Sequence, residues 1–134
     1  MIERSIVTGL IVSSDYLREI KPIWDIKFLA SGSAKRIALW CWEYYNRYNK
    51  APLRDIEGIY YAKIKETALP KEIAEDIEDI LNSLSEEYES SSINLTYLLD
   101  ETRKYFTERR LDIHTETIKA LTRSGYVVTK VATA

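Results

Sequence analysis

The chain of 134 residues holds one cysteine, one histidine, four glycines and three prolines. Cys41 alone forbids an internal disulfide, and with His114 as the single imidazole no cluster of Cys and His ligands can assemble around a metal. Gly9, Gly32, Gly58 and Gly125 are followed by Leu, Ser, Ile and Tyr, so none completes a phosphate loop that ends in lysine and a hydroxyl. Long apolar runs are also missing. The stretch Ile6 to Val12 is broken by Thr8 and Gly9, follows the acidic Glu3 and has no small-residue cleavage site, which argues against a signal peptide or a membrane span. Nineteen basic against twenty-one acidic side chains leave a net charge of -2, without the basic excess that coating a phosphate backbone requires. The expectation is a cytoplasmic protein with no cofactor, no metal and no membrane contact.

What is present is 46% hydrophobic and 30% charged residues, the composition of one compact domain. Apolar residues recur at helical spacing almost throughout, and strand-like alternation is nearly absent before Tyr126 to Val131, so the class is all-α. A first helix is expected from about Glu3 to Val12, and a short second one capped by Ser14 or Asp15 and running through Leu17 and Ile20. The segment Ile23 to Leu29 is too apolar for a solvated loop and reads as packed under the bundle. Ser31-Gly32-Ser33 caps a third helix, whose core stripe is Ile37, Trp40, Cys41, Tyr44 and Tyr48. Asn49 and Pro52 end it.

A fourth helix, Leu53 to about Glu66, carries Ile56, Ile59, Tyr60 and Ile64 on one side, with Gly58 costing about 1 kcal/mol relative to alanine. Pro70 opens a fifth, whose stripe is Ile73, Ile77, Ile80, Leu81 and Leu84 and whose first turn is acidic. Ser90-Ser91-Ser92 reads as a loop, and Asn94 caps a last helix of about 30 residues, about 45 Å long, stopped by Gly125. The layout is therefore a compact helical head over 1–93, a long helix over 94–125 that acts in oligomerisation, and an extended tail over 126–134. On the long helix Leu95, Leu99, Thr102 and Phe106 can pack on the head. Beyond them Leu111, His114, Ile118 and Leu121, spaced three, four and three apart, form the seam of a helix-to-helix interface.

Residues 54–93 carry four basic and eleven acidic side chains, a local net of -7 against +5 for the rest. Within them Glu75, Asp76, Glu78 and Asp79 lie on a helix rather than on the glycine-turned loop that a calcium site needs, which makes them a solvated face open to a basic partner. Cys41 lies on an apolar stripe far in sequence from His114, which suits a packed thiol better than a nucleophile. In the segment Trp40 to Tyr48, Trp42 and Tyr45 fall off the core stripe and form an edge that, with Arg47, could stack bases.

Several short segments resemble the N-terminal domain of replicative hexameric DNA helicases of the DnaB type, in phage and plasmid versions. Glu3-Arg4-Ser5-Ile6-Val7-Thr8-Gly9-Leu10-Ile11 is similar to that family's first helix, and Ser14-Asp15-Tyr16-Leu17 to the turn into its second. Phe28 with Arg36-Ile37-Ala38-Leu39-Trp40 resembles the approach to the central helix, and Asn49-Lys50-Ala51-Pro52 its exit. Ile93-Asn94-Leu95-Thr96-Tyr97, with Arg109-Arg110-Leu111 and Gly125, is similar to the first arm of the family's helical hairpin. The resemblance implies a non-catalytic collar domain without ATPase, self-association into a dimer or higher oligomer and a hexamer in the full-length protein, and docking of a primase or helicase loader. The parent would be an ATP-dependent DNA helicase. The second hairpin arm, linker and motor of that family have no counterpart in these residues. Two other readings use the same residues: a stand-alone helical nucleic-acid-binding protein built on Trp42, Tyr45 and Arg47, and a small enzyme with a tyrosine-lined pocket.

Overall fold

The computed structural model describes residues 2–84 and 94–123. Six α-helices succeed one another: α1 Ile2–Val12, α2 Ser14–Ile20, α3 Gly32–Tyr48, α4 Asp55–Glu66, α5 Lys71–Asn82 and α6 Leu95–Arg123. Two single 3₁₀ turns, Lys21–Ile23 and Ile26–Phe28, join α2 to α3, and no strand occurs among the described residues. The serine loop at 90–92, the stop at Gly125, the tail 126–134 and the acidic residues 86, 87 and 89 lie outside the described residues.

Local chemistry explains most boundaries. The Ser31 hydroxyl accepts from the Ala34 amide at 3.2 Å and so satisfies one of the amides left over at the start of α3. Asn49 ends that helix in the left-handed region, at φ 59°, where its amide donates to the Tyr45 carbonyl at 2.7 Å. Asn94 caps α6 by accepting from the Tyr97 amide at 3.0 Å. The cap of α2 is Ser13 rather than Ser14 or Asp15: its hydroxyl accepts from the Tyr16 amide at 3.0 Å. Ser14, one residue on, instead accepts from the Ala51 amide at 2.8 Å and tethers the chain after α3. Helix α4 starts at Asp55, because Leu53 turns left-handed at φ 53° and donates its amide to the Ile11 carbonyl at 2.8 Å.

Helix α3 lies at the centre, packed on α1 and α5, while α6 runs across α1 and α2. Ile6, Leu10, Ile11, Leu17, Ile20, Ile37, Cys41, Ile56 and Ile77 are wholly buried between these helices. At Gly9 an added Cβ would lie 2.7 Å from Leu98 and 2.8 Å from the Tyr16 ring, so the glycine lets α1, α2 and α6 approach closely. The apolar segment before α3 is packed as expected: Phe28 and Leu29 are buried, and Trp24 and Phe28 lie 5.7 Å and 5.1 Å from the Phe106 ring of α6.

The aromatic stripe of α3 differs from expectation. Tyr45 is 9% exposed and Tyr48 52%, so the core continues along Ile37, Cys41 and Tyr45, with Tyr44 half-buried at its edge and Tyr48 outside. Both alternatives satisfy helical spacing. The choice is made by the chain after α2, which sets Trp24 5.4 Å from Trp42 and the Lys21 ammonium 5.8 Å over the Tyr45 ring. Ile64 likewise stands 39% exposed although it shares the side of α4 that buries Ile56 and Tyr60.

Candidate functional site

Three surfaces carry the residues that chemistry can use. The first is α6. Its 29 residues extend about 44 Å, and Leu98, Leu99, Thr102 and Phe106 are buried on the head. From Leu111 onward no residue of the helix is buried: Leu111 is 62% exposed, His114 is exposed, and Ile118 and Leu121 are half-buried. At 100° per residue these four share one face, rotated by about 120° from the face that meets the head. Ile113, half-buried, is the last residue packed against the core.

Where α6 leaves the head, α1 holds it. The Glu3 carboxylate accepts from the Ala30 and Ser31 amides at 2.8 Å and 2.9 Å and from the Tyr105 hydroxyl. Arg109 adds a bond from Nε to the Phe28 carbonyl at 3.0 Å. Burial alone raises the Glu3 carboxyl, but the bonds from Tyr105, Ser31 and Ala30 and the Arg109 charge outweigh it and hold it below the usual glutamate value. Tyr105 is pushed up to about 12, first by burial and then by its bond to the carboxylate.

The second surface is the acidic side of α5. Glu75, Asp76, Glu78 and Asp79 are all exposed, yet they are not equivalent. Glu78 accepts from the Tyr60 hydroxyl at 2.9 Å and Asp76 from the buried Ser33 at 3.3 Å. Among the described residues Glu75 pairs only with Lys71, at 3.8 Å, and at Asp79 it is the main-chain carbonyl that accepts, from Arg4 at 3.4 Å. Two of the four carboxylates therefore brace α5 against α3 and α4, and the other two face outward.

The third surface is a tyrosine-lined cleft, whose place between two helices is not legible in the sequence. The cleft, between α3 and α4 and of about 290 Å³, is lined by the apolar Trp40, Ile59 and Ala62 together with Tyr44 and Tyr48. It continues past Gly58 to the connection Lys50–Asp55. Arg47, Lys50, Arg54 and Lys63 border it, with Glu43 and Asp55 between them. The Tyr44 hydroxyl donates to Asp55 at 2.6 Å, and that bond first, then burial, pushes the tyrosine up to about 12. Lys63 lies 3.9 Å from Glu43. The signal available in the sequence was three cations, Arg47, Lys50 and Arg54, around one proline turn.

The base-stacking edge is not formed as expected. Trp42 and Tyr45 meet edge to face at 5.8 Å, and Tyr45 is in the core. Cys41 is wholly buried and its thiol is pushed well up by burial, as suits an inert packed group. Among the described residues no group of His, Cys, Asp and Glu is arranged to hold a metal ion, and no helix is long and apolar enough to cross a membrane. No family model, no curated protein and no solved structure matches the chain.

Proposed function

We propose that this chain is a non-catalytic assembly and partner-docking domain, the collar-forming N-terminal part of a replicative DNA helicase. The observation that carries the reading is the rotation of the apolar stripe along α6. Its first half is consumed by the head, whereas Leu111, Ile118 and Leu121 point along a second face on which Leu111 is 62% exposed. An apolar row of that kind on a helix is stabilised when a second helix covers it. Another copy of α6 is the natural partner, because an isologous pairing of identical seams closes on itself. The order of helices and the short segments similar to the DnaB-type N-terminal domain support the helicase assignment, with primase or a loader as the docking partner.

Light scattering on the full chain tests the assembly half. The parent is expected to associate at micromolar concentration and Ile118→Asp to run as a monomer with parental helix content, since the variant places a charge in the seam. A monomeric parent, a variant that associates like the parent, or one that unfolds each overturns it. The helicase half is tested in the gene: a reading frame that continues into a Gly-x-x-x-x-Gly-Lys-Ser/Thr loop supports it, and a frame without one overturns it.

A further inference from the structure

We propose that the cleft between α3 and α4 binds an acidic peptide segment of a partner protein, anchored by one apolar side chain. The apolar part of the cleft lining is Trp40, Ile59 and Ala62, and the volume of about 290 Å³ is enough for one large side chain. Its border is basic. Both carboxylates there are already engaged, Asp55 by the Tyr44 hydroxyl at 2.6 Å and Glu43 by Lys63 at 3.9 Å. Among the described residues neither Lys50 nor Arg47 makes an ion pair, although Glu43 lies one turn before Arg47, whose guanidinium sits over the Tyr48 ring at 5.5 Å. The cations are thus in excess on a chain whose net charge is -2, and charge complementarity selects an anionic occupant.

A peptide fits this chemistry better than a nucleic acid. Glu43 and Asp55 interrupt the row of cations that a phosphate track needs. The half-buried Tyr44 ring and the exposed Tyr48 ring are already engaged with one another at 4.6 Å, and Tyr48 also with Arg47, which leaves less bare ring face on which bases stack. The far wall is held in a strained form: Leu53, a branched side chain 41% exposed, stands at φ 53° under the pull of its bond to Ile11. Such strain survives where the surroundings impose it, and it gathers at binding sites.

The inference concerns only the docking half of the proposed function, and it is read by a separate measurement on separate residues. The probe is a fluorescein-labelled decapeptide of alternating aspartate and glutamate with one central phenylalanine, titrated with the full chain and followed by anisotropy. Saturable binding is expected, at least tenfold weaker for the Lys50→Glu, Arg54→Glu double variant and for the peptide with serine in place of phenylalanine. Glu75→Gln, on the opposite kind of surface, is expected to leave it unchanged. Should the double variant lose its helix content, Tyr48→Ser, at an exposed wall position, must weaken binding in its place. Absence of saturable binding overturns the inference, as does parental affinity in the charge-reversed or Tyr48→Ser chain, or tighter binding of a twenty-residue thymidine oligonucleotide at the same cleft. An Ile118→Asp monomer that still binds the peptide separates this site from the seam.

Discussion

The Tyr16 hydroxyl lies 2.6 Å from the Thr102 hydroxyl, across 86 residues of chain, with both side chains wholly buried. Thr102 donates its own proton to the Leu98 carbonyl at 2.7 Å, so Tyr16 is the donor in the pair. The bond pins α2 to α6 in the apolar core and gives the buried Tyr16 hydroxyl a partner, and burial pushes the phenol far up. Thr102→Val removes the acceptor and leaves a buried hydroxyl unpaired, at a cost of about 1–3 kcal/mol. Tyr16→Phe leaves Thr102 still bonded to Leu98 and is expected to cost less. Urea unfolding of both single variants and the double variant checks this, and Tyr16→Phe must recover part of the Thr102→Val loss.

Two glycines should respond in opposite directions to the same methyl group. Gly9→Ala drives a Cβ against Leu98 and the Tyr16 ring, where overpacking is expected to cost about 1–3 kcal/mol. Gly58, inside α4, has nothing within 4 Å of an added Cβ, and Gly58→Ala should stabilise by about 0.5–1 kcal/mol through the lower entropy of the unfolded chain. Thermal unfolding in which both variants shift the same way would contradict the packing described here.

Stability should fall off at both ends of the pH scale. Glu3 titrates below its ordinary value of 4.5 in the folded chain, so its contribution is complete above that value and is lost as pH falls through the lowered folded value. Tyr60 and Tyr105 rise from 10.0 to about 12, each chiefly through burial, and their contribution is complete below pH 10 and is lost as pH rises through 12. Glu3→Gln should flatten the acid limb of a urea-midpoint profile, and Tyr105→Phe part of the alkaline limb. An acid limb identical in parent and Glu3→Gln would remove Glu3 from the account.

The acidic face of α5 should divide under mutation. Glu78→Ala removes the carboxylate that accepts from Tyr60, whose hydroxyl keeps the Ala74 carbonyl at 3.2 Å, so a loss of about 1 kcal/mol is expected. Glu75→Gln breaks only an exposed pair with Lys71 and should lie within about 0.5 kcal/mol of the parent. Equal effects of the two substitutions in chemical denaturation would show that the Tyr60 bond adds nothing.

The helices and several of their ends were determined by the sequence, because what makes them acts within a few residues. Ser31 and Asn94 each cap an amide three residues on, Asn49 supplies its own left-handed conformation, and the spacing of Ile37 and Cys41 or of Ile73, Ile77 and Leu81 repeats once per turn. The absence of a phosphate loop is equally local. Tertiary structure alone decided which tyrosine of α3 turns inward, since Tyr44, Tyr45 and Tyr48 all fit a stripe and the choice depends on Lys21 and Trp24 arriving from another segment. It also decided that Glu78 and Asp76 are internal braces while Glu75 and Asp79 face outward, and that Glu3 binds Tyr105. The cleft arose in the same way: Tyr48 and Ile59 border one space only after the Asn49–Pro52 turn has set α4 beside α3. Contacts between residues distant along the chain depend on which faces are buried together, and a periodic pattern specifies a face without naming its partner.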